Sequence, residues 1–378
     1  MVLKLLVVGH SYVTCFAQEK FVAMKTQRHE LDLRLVVPEC SYELFGIYKA
    51  ERHIQLRPEE LTIMRRLGGR SHMAYLVNPF RLARLLRSFS PDVVLIEEDP
   101  HSPIGIETVV LARLFSRAAK ISFFIWDNLF RSPRFPLSLV KKALTCYALA
   151  RTSLVICGNT EALSLLGKKG YSGPATVVPQ VGVTESNSAG LRNSPQPVIG
   201  FVGRLIPEKG ILLLLNALTG LEDLNWKLLV VGSGPLEISL STRWQERFGG
   251  RLTLRKAVPH AEVDSVLQSL DIFVLPSYGV REWKEQFGLT LAQAMMAGVA
   301  CVGSSSGAIP DVLGEAGVVF RERDEASLRE ALRSLIGSEE RRKALACAAR
   351  QRAREQYSMT AVGTKLLSAL QSVVANAG

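Results

Sequence analysis

The sequence predicts an α/β protein built from two tandem Rossmann-like, doubly wound domains that face each other across a cleft. The chain has 378 residues, which suits two hydrophobic cores better than one. Short apolar runs alternate with longer amphipathic segments along the whole chain, as is typical of parallel sheets with helical crossovers. A polar segment rich in Ser, Asn, Gly and Pro interrupts this alternation at residues 185–197. We therefore expect a domain linker there.

The first half contains six apolar runs that predict strands, most of them separated by segments of helical character. The predicted strands are Leu3–Val8, Leu33–Val37, Val93–Ile96, Ile121–Ile125, Leu154–Cys157 and Thr176–Val178. Residues 79–89 predict a surface helix, because apolar side chains lie on one side of it and arginines on the other. These elements predict an amino-terminal domain over residues 1–184.

The second half repeats the same alternation without repeating the sequence. The predicted strands are Val198–Val202, Lys227–Val231, Leu252–Leu254, Ile272–Pro276, Ala300–Gly303 and Val318–Phe320, and the last helical patterns cover residues 325–336, 339–356 and 359–375. We predict a second domain over residues 198–356 and a carboxy-terminal helix, within residues 357–378, that packs back towards the amino-terminal domain. Since open α/β sheets bind ligands beyond the carboxyl ends of their strands, functional residues are expected in loops just after strands.

Composition favours a reducing, cytoplasmic location. The six cysteines are scattered and form no C-x-x-C pair, so we expect free thiols. The apolar start of the chain ends at His10 without the basic residues or cleavage site of a signal peptide, and it predicts a first buried strand. No window reaches the roughly 20 apolar residues of a membrane span, so we expect a protein that is soluble or lies on a surface.

The net charge of +11 lies mostly in residues 1–200. Its basic groups include Arg81/Arg84/Arg87, Arg131/Arg134 and Lys141/Lys142. Such groups suit contact with anionic lipid, an anionic glycan or nucleic acid. A solvated basic face explains them equally well.

The first candidate site follows the predicted strand at residues 198–202. Gly203 lets the backbone turn, and Arg204 and Lys209 then lie at the start of a helix, where partial positive charge favours an anion. Two cations and a helix terminus suit a diphosphate. The alternative is a simple turn in which Glu208 pairs with one of the cations.

A second candidate site follows the predicted strand at residues 272–276. Glu285 and Gln293 would face one ligand if the segment between them were helical, because their spacing is about two helical turns. The amides of Phe287, Gly288 and Leu289 would then be free donors at the helix start and would suit phosphate.

These motifs belong to an ordered set across residues 198–320. The set consists of Gly203-Arg204 with Lys209-Gly210, Val231–Pro235, Pro276-Ser277, Glu285–Gly288, Ser306–Asp311 and Gly314–Gly317. It resembles the carboxy-terminal domain of retaining glycosyltransferase family 4, whose members have the GT-B fold. The first half resembles bacterial and archaeal members less distinctly, through Glu97–His101, Trp126–Asn128, Gly158–Ala162 and Val178–Val183.

The resemblance implies a nucleotide diphosphate sugar as donor and no cofactor. Arg204 and Lys209 would hold the diphosphate and neutralise charge on the leaving group, so that no metal ion is needed. Glu285 would accept hydrogen bonds from hydroxyls of the transferred sugar. Gly203 would shape the donor loop, and the amides around Gly288 would support the phosphate.

One position departs from the family pattern. Gln293 stands where the family normally has a second glutamate that faces the nucleotide ribose. A glutamine keeps an acceptor and gains donors but loses the charge, so we expect ribose binding to persist with lower affinity.

The resemblance also implies that the amino-terminal domain binds the acceptor, a glycan, a lipid-linked molecule or another hydroxyl compound. Gly9, His10 and His101 are the acceptor-side candidates, and His101 is the candidate for orienting the sugar or assisting the hydroxyl. In this family the departing phosphate is usually pictured as taking the proton, so no protein base is required. Adjacent carboxylates at Glu97–Asp99 are weak evidence for a metal site without a histidine set. No nucleic-acid partner is expected, whereas peripheral association with the cytoplasmic membrane face is a candidate.

Parts of the sequence suggest three other functions. A nicotinamide dehydrogenase is disfavoured, because the third glycine of the G-x-G-x-x-G motif that starts at Gly232 is replaced by Glu237. A GT-B sugar-nucleotide epimerase would need carboxylates and histidines of which no matching set is found. A degenerate GT-B binding subunit without transferase activity stays open because of Gln293.

Overall fold

The computed structural model describes residues 2–27, 31–43, 46–69, 74–129, 136–186 and 196–375. The chain divides into two compact units, one formed by residues 1–182 and 359–378 and the other by residues 183–358. Val183 belongs to the second unit because its amide donates to the Tyr357 carbonyl over 2.7 Å and it forms a bridge with Ser358. The sequence instead predicts these divisions at residues 184 and 356, and residues 187–195 of the predicted linker lie outside the described part.

The first unit is a parallel sheet with helices on both faces. Its strands are β1 (Leu3–Val8), β2 (Leu31–Pro38), β3 (Cys40–Glu43), β4 (Gly46–Lys49), β5 (Leu61–Met64), β6 (Val93–Ile96), β7 (Lys120–Ile125), β8 (Leu154–Cys157) and β9 (Ala175–Val177). Its helices are α1 (Cys15–Gln27), α2 (Pro79–Phe89), α3 (Pro103–Phe115), α4 (Leu137–Leu149), α5 (Thr160–Lys168) and, at the end of the chain, α14 (Met359–Ala375). The seven-stranded sheet has the order β5-β2-β1-β6-β7-β8-β9, while β3 and β4 form a separate antiparallel hairpin.

Each face of this sheet carries its own hydrophobic core. One core joins the sheet to α1 and α14 through side chains such as Phe21, Met24 and Leu366. The other joins it to α2 and α3 through Leu82, Leu86 and Val109. Because helices cover both faces of the sheet, successive residues along its strands are apolar.

The second unit has the same architecture with six parallel strands. They are β10 (Val198–Val202), β11 (Lys227–Val231), β12 (Leu252–Arg255), β13 (Ile272–Leu275), β14 (Ala300–Ser304) and β15 (Val318–Phe320). The helices are α6 (Ile211–Thr219), α7 (Glu237–Ser239), α8 (Gln245–Phe248), α9 (His260–Gln268), α10 (Leu289–Met296), α11 (Ile309–Leu313), α12 (Glu325–Ile336) and α13 (Glu339–Tyr357). The strand order is β12-β11-β10-β13-β14-β15.

Strand order in both sheets reverses at one point. In the first unit the chain leaves β1 towards β2 and later returns on its other side with β6. In the second unit it leaves β10 towards β11 and returns with β13. Loops diverge at such a topological switch point and leave a crevice for ligands.

The prediction of two Rossmann-like α/β units is confirmed, with two differences of detail. The hairpin β3–β4 and the edge strand β5 were not predicted. All four residues of β4 are exposed, so no apolar periodicity marks that strand. Among the described helices, none combines the length and the apolar character that a bilayer crossing requires.

Candidate functional site

The loops after β10 and β13 meet at the switch point of the second unit. Lys209 ends a single 3₁₀ turn after β10, and its Nζ lies 2.6 Å from Oε2 of Glu285, on the loop after β13. The Ser277 hydroxyl donates to the same carboxylate oxygen over 3.2 Å. Lys209 Nζ also lies 4.7 Å from the centre of the Trp283 ring. The largely buried carboxylate is therefore fixed by a cation and a hydroxyl from two neighbouring loops.

Two glycines permit these loops to approach so closely. Gly210 has a φ of +76°, and a Cβ atom built on it would lie 2.0 Å from the Pro276 carbonyl oxygen. Gly307, in the loop after β14, has a φ of +58°, and its Cβ would lie 2.1 Å from the Glu285 carbonyl oxygen. A side chain at either position would combine backbone strain with a collision, so both glycines are needed for the geometry around Glu285.

Arg204 and Lys209 occupy the loop predicted to hold a diphosphate, and both side chains are partly buried. Gly203 donates its amide to the Val231 carbonyl, which ties this loop to the end of β11. The alternative pairing with Glu208 is not found for Lys209, whose recorded carboxylate partner is Glu285. Glu208 instead contributes its backbone carbonyl, which accepts from the Tyr278 amide over 2.9 Å.

The condition that the segment between Glu285 and Gln293 be helical is met only from Leu289 onwards. Helix α10 begins only at Leu289, because Gly288 adopts a left-handed φ of +80°. Gln293 lies on α10 and is partly buried, whereas Glu285 belongs to the preceding loop. The Leu291 and Ala292 amides donate to the Gly288 carbonyl. The amides of Gly288 and Leu289 therefore precede the first hydrogen bond within the helix, where the macrodipole favours an anion.

The sequence patterns predict no role for two serines of this site, Ser277 and Ser306. Ser277 contacts Glu285 directly. The Ser306 hydroxyl is buried and has no hydrogen-bond partner among the residues that the structure describes, and it lies near Gly279 in the loop after β13. A buried hydroxyl without a partner is costly, and a ligand with a polar group can satisfy it. Both serines lie in the ordered motif set, but only the folded chain places Ser277 against Glu285.

Gly9 and His10 follow β1 at the switch point of the first unit. The His10 Nδ1 and its backbone amide both lie within hydrogen-bonding distance of Glu98 Oε1, at 2.7 and 2.8 Å. The Tyr75 hydroxyl donates to the same oxygen over 2.8 Å. The His10 ring is thus held in one orientation by a buried carboxylate at the end of β6.

Glu97 takes part in a second buried contact. The Lys20 ammonium lies 3.4 Å from Glu97 Oε2 and donates to the Gln180 carbonyl over 2.6 Å. Burial raises the pKa of Glu97 to about 8 and lowers that of Lys20 to about 7. The sequence identified neither Lys20 nor Tyr75, because both are distant in the chain from the carboxylates that they contact.

His101 is partly buried. Its Nε2 lies 3.8 Å from Asp99 Oδ2. The pKa of His101 is lowered to about 4, first by burial and then by the positive charges of Lys141 and Lys169. Burial, followed by the charge of Asp127, raises the pKa of Asp99 to about 6. His101 is therefore a neutral imidazole near neutral pH.

The described residues contain no group of three or more His, Cys, Asp and Glu side chains placed to hold a metal ion. The adjacent carboxylates at the end of β6 instead contact different partners. Glu97 contacts Lys20, Glu98 contacts His10 and Tyr75, and Asp99 approaches His101.

Comparison with known families and curated proteins identifies the second unit. Residues 183–352 match the family model described as glycosyl transferases group 1. The 2-deoxystreptamine glucosyltransferase of Streptomyces kanamyceticus is 31% identical over 129 residues, which cover 33% of this chain and 32% of that protein. The D-inositol 3-phosphate glycosyltransferase of Corynebacterium efficiens is 30% identical over 183 residues, covering 45% of this chain and 42% of the relative. The matches thus span about a third to a half of these relatives.

Solved structures resemble the chain over nearly its whole length. HepE of Anabaena, crystallised with UDP, aligns with a TM-score of 0.69 and 14% identity over 98% of this chain and 100% of that chain. A glycosyltransferase from Rickettsia africae aligns with a TM-score of 0.71 and 13% identity over 99% of each chain. At such low identity these likenesses show the fold alone. Residues 183–352 therefore form a domain of the glycosyl transferases group 1 family within the second unit, and the chain as a whole has the two α/β units of the GT-B fold.

Proposed function

We propose that this protein transfers a sugar from a nucleotide diphosphate donor to a hydroxyl acceptor, with retention of anomeric configuration and without a metal ion. The contact between Lys209 and Glu285 carries the proposal. It joins a cation and a carboxylate at the switch point of the unit that contains the family domain. The cation suits the negative charge of a diphosphate, and the carboxylate suits hydrogen bonds from sugar hydroxyls.

In the proposed reaction each group of the donor has a counterpart on the second unit. Arg204 and Lys209 stabilise the diphosphate as the bond between the sugar C1 and the phosphate oxygen breaks. The amides of Gly288 and Leu289 add donors at the start of α10. Glu285, held by Ser277, accepts from sugar hydroxyls. The acceptor oxygen attacks C1 from the face that the diphosphate leaves, and its proton passes to the departing phosphate oxygen.

Similar proteins suggest which donors to test first. HepE was crystallised with UDP and with UDP-glucose, and a curated relative is a glucosyltransferase. Two other relatives are named after phosphate-bearing compounds. They are a D-inositol 3-phosphate glycosyltransferase and a phosphatidyl-myo-inositol mannosyltransferase. We propose a uridine diphosphate sugar as donor and a glycan, lipid-linked or other hydroxyl acceptor.

We further propose a cytoplasmic location with docking at the anionic membrane face. Arg81, Arg84 and Arg87 are exposed on α2, and Lys142 is exposed on α4, so these cations of the first unit are accessible. Arg131 and Arg134, which the sequence also suggested, lie outside the described residues.

The test is a donor screen on the full chain with a chelator present. Release of the nucleoside diphosphate and the anomeric configuration of the product are followed by chromatography and NMR. The Arg204→Ala variant should lose at least about a hundredfold in turnover, because it removes transition-state charge stabilisation. Arg247→Ala, which removes an exposed arginine of the same unit, is the matched control. Unchanged turnover in Arg204→Ala would contradict the assignment.

The same screen separates the alternative functions. Donor binding without release of nucleoside diphosphate from any donor would indicate a binding subunit, to which the Gln293 substitution points. Conversion of the donor to its epimer would indicate an epimerase. An inverted product would overturn retention while leaving glycosyl transfer intact.

A further inference from the structure

The first unit contains a cavity of about 420 Å³ to which the proposed transfer chemistry assigns no ligand. It lies between α4 and α5, beside the carboxyl ends of β6 and β7. Leu149, Leu165 and Leu166 form much of its apolar wall, and His101 and Asp99 lie at its sheet end. Leu165 and Leu166 are nearly fully buried. The cavity is large enough for part of a small ligand or one short acyl chain.

Four lysines line the same cavity from two separate helices. Lys141 and Lys142 come from α4, and Lys168 and Lys169 come from the end of α5. Within the residues that the structure describes, none of the four forms a salt bridge with a carboxylate. Four like charges around one cavity repel one another unless an anion lies between them, so this grouping favours an anionic ligand.

The other ionisable groups of the cavity do not offset this charge. Asp99 has a raised pKa of about 6, because burial disfavours its charged form. His101 is kept neutral, first by burial and then by the charges of Lys141 and Lys169, so it adds no positive charge to the lining and offsets none. Asp127 is the other carboxylate in the lining. The net charge of the lining is therefore positive.

An exposed apolar surface continues from the cavity along α4. Leu137, Leu139 and Val140 are 63%, 58% and 53% exposed, and Leu139 also lines the cavity. Adjacent exposed aliphatic side chains on one helix turn are unusual on a surface that contacts water alone. Here they adjoin both the lysines and the buried leucines, so apolar and cationic surfaces meet at the cavity mouth.

We propose that this cavity binds a single anionic amphiphile, with its phosphate group against the lysines and its apolar chain along Leu149, Leu165 and Leu139. Such a molecule matches the lining at both ends, since phosphate suits ammonium groups and an acyl or prenyl chain suits the leucines. As the acceptor of the transfer, it would identify the acceptor class as a phosphate-bearing lipid. That role rests on the proposed function, whereas the binding itself does not.

Binding is tested by calorimetry on the full chain with soluble probes. Dihexanoyl phosphatidic acid, kept below its aggregation concentration, is compared with dihexanoyl phosphatidylcholine and with inorganic phosphate. The phosphatidic acid should bind at least about tenfold more tightly than either comparison compound, because only it satisfies both surfaces. The double variant Lys141→Met/Lys169→Met should lose about tenfold in affinity, and Leu149→Ser should weaken the lipid without changing phosphate binding.

The controls separate this site from charge effects and from the donor site. Lys49→Met/Lys227→Met removes two charges from exposed positions outside the cavity and should leave the affinity unchanged. The melting temperature shows whether each variant is folded. The rise in melting temperature that UDP causes shows whether the second unit still binds UDP. UDP binding that persists while phosphatidic acid fails to bind contradicts the cavity proposal alone. Lipid binding without transfer to any lipid acceptor contradicts only the acceptor role.

Two results would overturn the assignment of the ligand. Equal affinity for inorganic phosphate and phosphatidic acid would show an anion site without an apolar part. Binding to anionic vesicles but not to the soluble lipid would show a membrane-docking surface instead of a cavity for one molecule.

Discussion

At the scale of single residues, the proposed donor site depends on the contact between Lys209 and Glu285. We predict that Lys209→Met weakens UDP binding by about tenfold or more, because a charge-assisted contact to phosphate is lost. Glu285→Gln should retain UDP binding and lose transfer, since the amide keeps the contact from Ser277 but not the charge. Calorimetry with UDP and a transfer assay distinguish the two variants. Lys227→Met is the control, because Lys227 is exposed on β11. Equal UDP affinity in Lys209→Met and wild type would disprove the phosphate role.

Gln293 gives a second residue-scale prediction. If its side chain faces the nucleotide ribose, Gln293→Glu should tighten UDP binding several-fold, because a carboxylate is a stronger acceptor for ribose hydroxyls. The gain should vanish with 2′,3′-dideoxy-UDP, which lacks those hydroxyls. A gain that is equal with both nucleotides, or no gain with UDP, would contradict the ribose contact.

The pKa of His101 is a measure of the electrostatic effect of the neighbouring lysines. A pKa of about 4 predicts that the imidazole stays neutral as the pH falls through 6.5, the value typical of an unperturbed histidine. In that window the unfolded chain binds more protons at this site, so the His101 contribution to stability falls as the pH falls from 6.5 towards 4. NMR titration of the ring should show a raised pKa in Lys141→Met and a smaller change in Lys142→Met. A wild-type pKa near 6.5 would contradict the buried, lysine-flanked environment.

The sequence displays the residues that we propose for the donor site, but it does not display the contacts between them. Lys209 and Glu285 both lie in motifs that the sequence displays, yet their contact depends on β10 lying beside β13. No local pattern encodes that order, because the intervening strands pair on the other side of β10. Lys20 and Tyr75 were missed for the same reason, since their partners at the end of β6 are distant in sequence.

At the scale of elements, Gly210 sets the path from β10 into α6. Its left-handed φ and its approach to Pro276 predict that Gly210→Ala destabilises the protein by roughly 2 kcal/mol or more, with strain and a collision both contributing. Gly250→Ala is a matched control in the same unit, because a Cβ at Gly250 meets no atom within 4 Å. Urea unfolding of both variants gives the comparison. A similar midpoint for the two would show that the loop relaxes without cost.

Helix starts and strand ends show where local sequence rules fail. The capped helices α2 and α12 were predicted within their observed bounds, since Asn78 and Asp324 accept hydrogen bonds from their first turns. Whether the segment between Glu285 and Gln293 is helical stayed open from the sequence, and the structure starts α10 at Leu289 because Gly288 ends the loop in a left-handed conformation. The short strand β4 was missed because its residues are all exposed.

At the scale of the whole molecule, two doubly wound units follow from strand periodicity because each sheet is covered on both faces. Continuous apolar runs such as those of β6 and β13 identify buried parallel strands without knowledge of their order. The sequence gives less indication of where the two units divide, at residues 182 and 358. That division depends on the pairing of Val183 with the end of α13, which is a long-range contact.

The uneven charge of the chain leads to a prediction for the molecule as a whole. Most of the net charge of +11 lies in residues 1–200, so the full chain should bind anionic vesicles more strongly than neutral ones and release them as salt rises. Changing Arg81, Arg84 and Arg87 on α2 to glutamine should weaken vesicle binding, by about 1 kcal/mol for each arginine that faces the surface. The matched control changes Lys227, Arg247 and Arg321 of the second unit to glutamine and removes the same charge. Co-sedimentation measures both triple variants. An equal loss in the two would trace binding to net charge alone, and indifference to lipid charge and salt would disprove docking through the first unit.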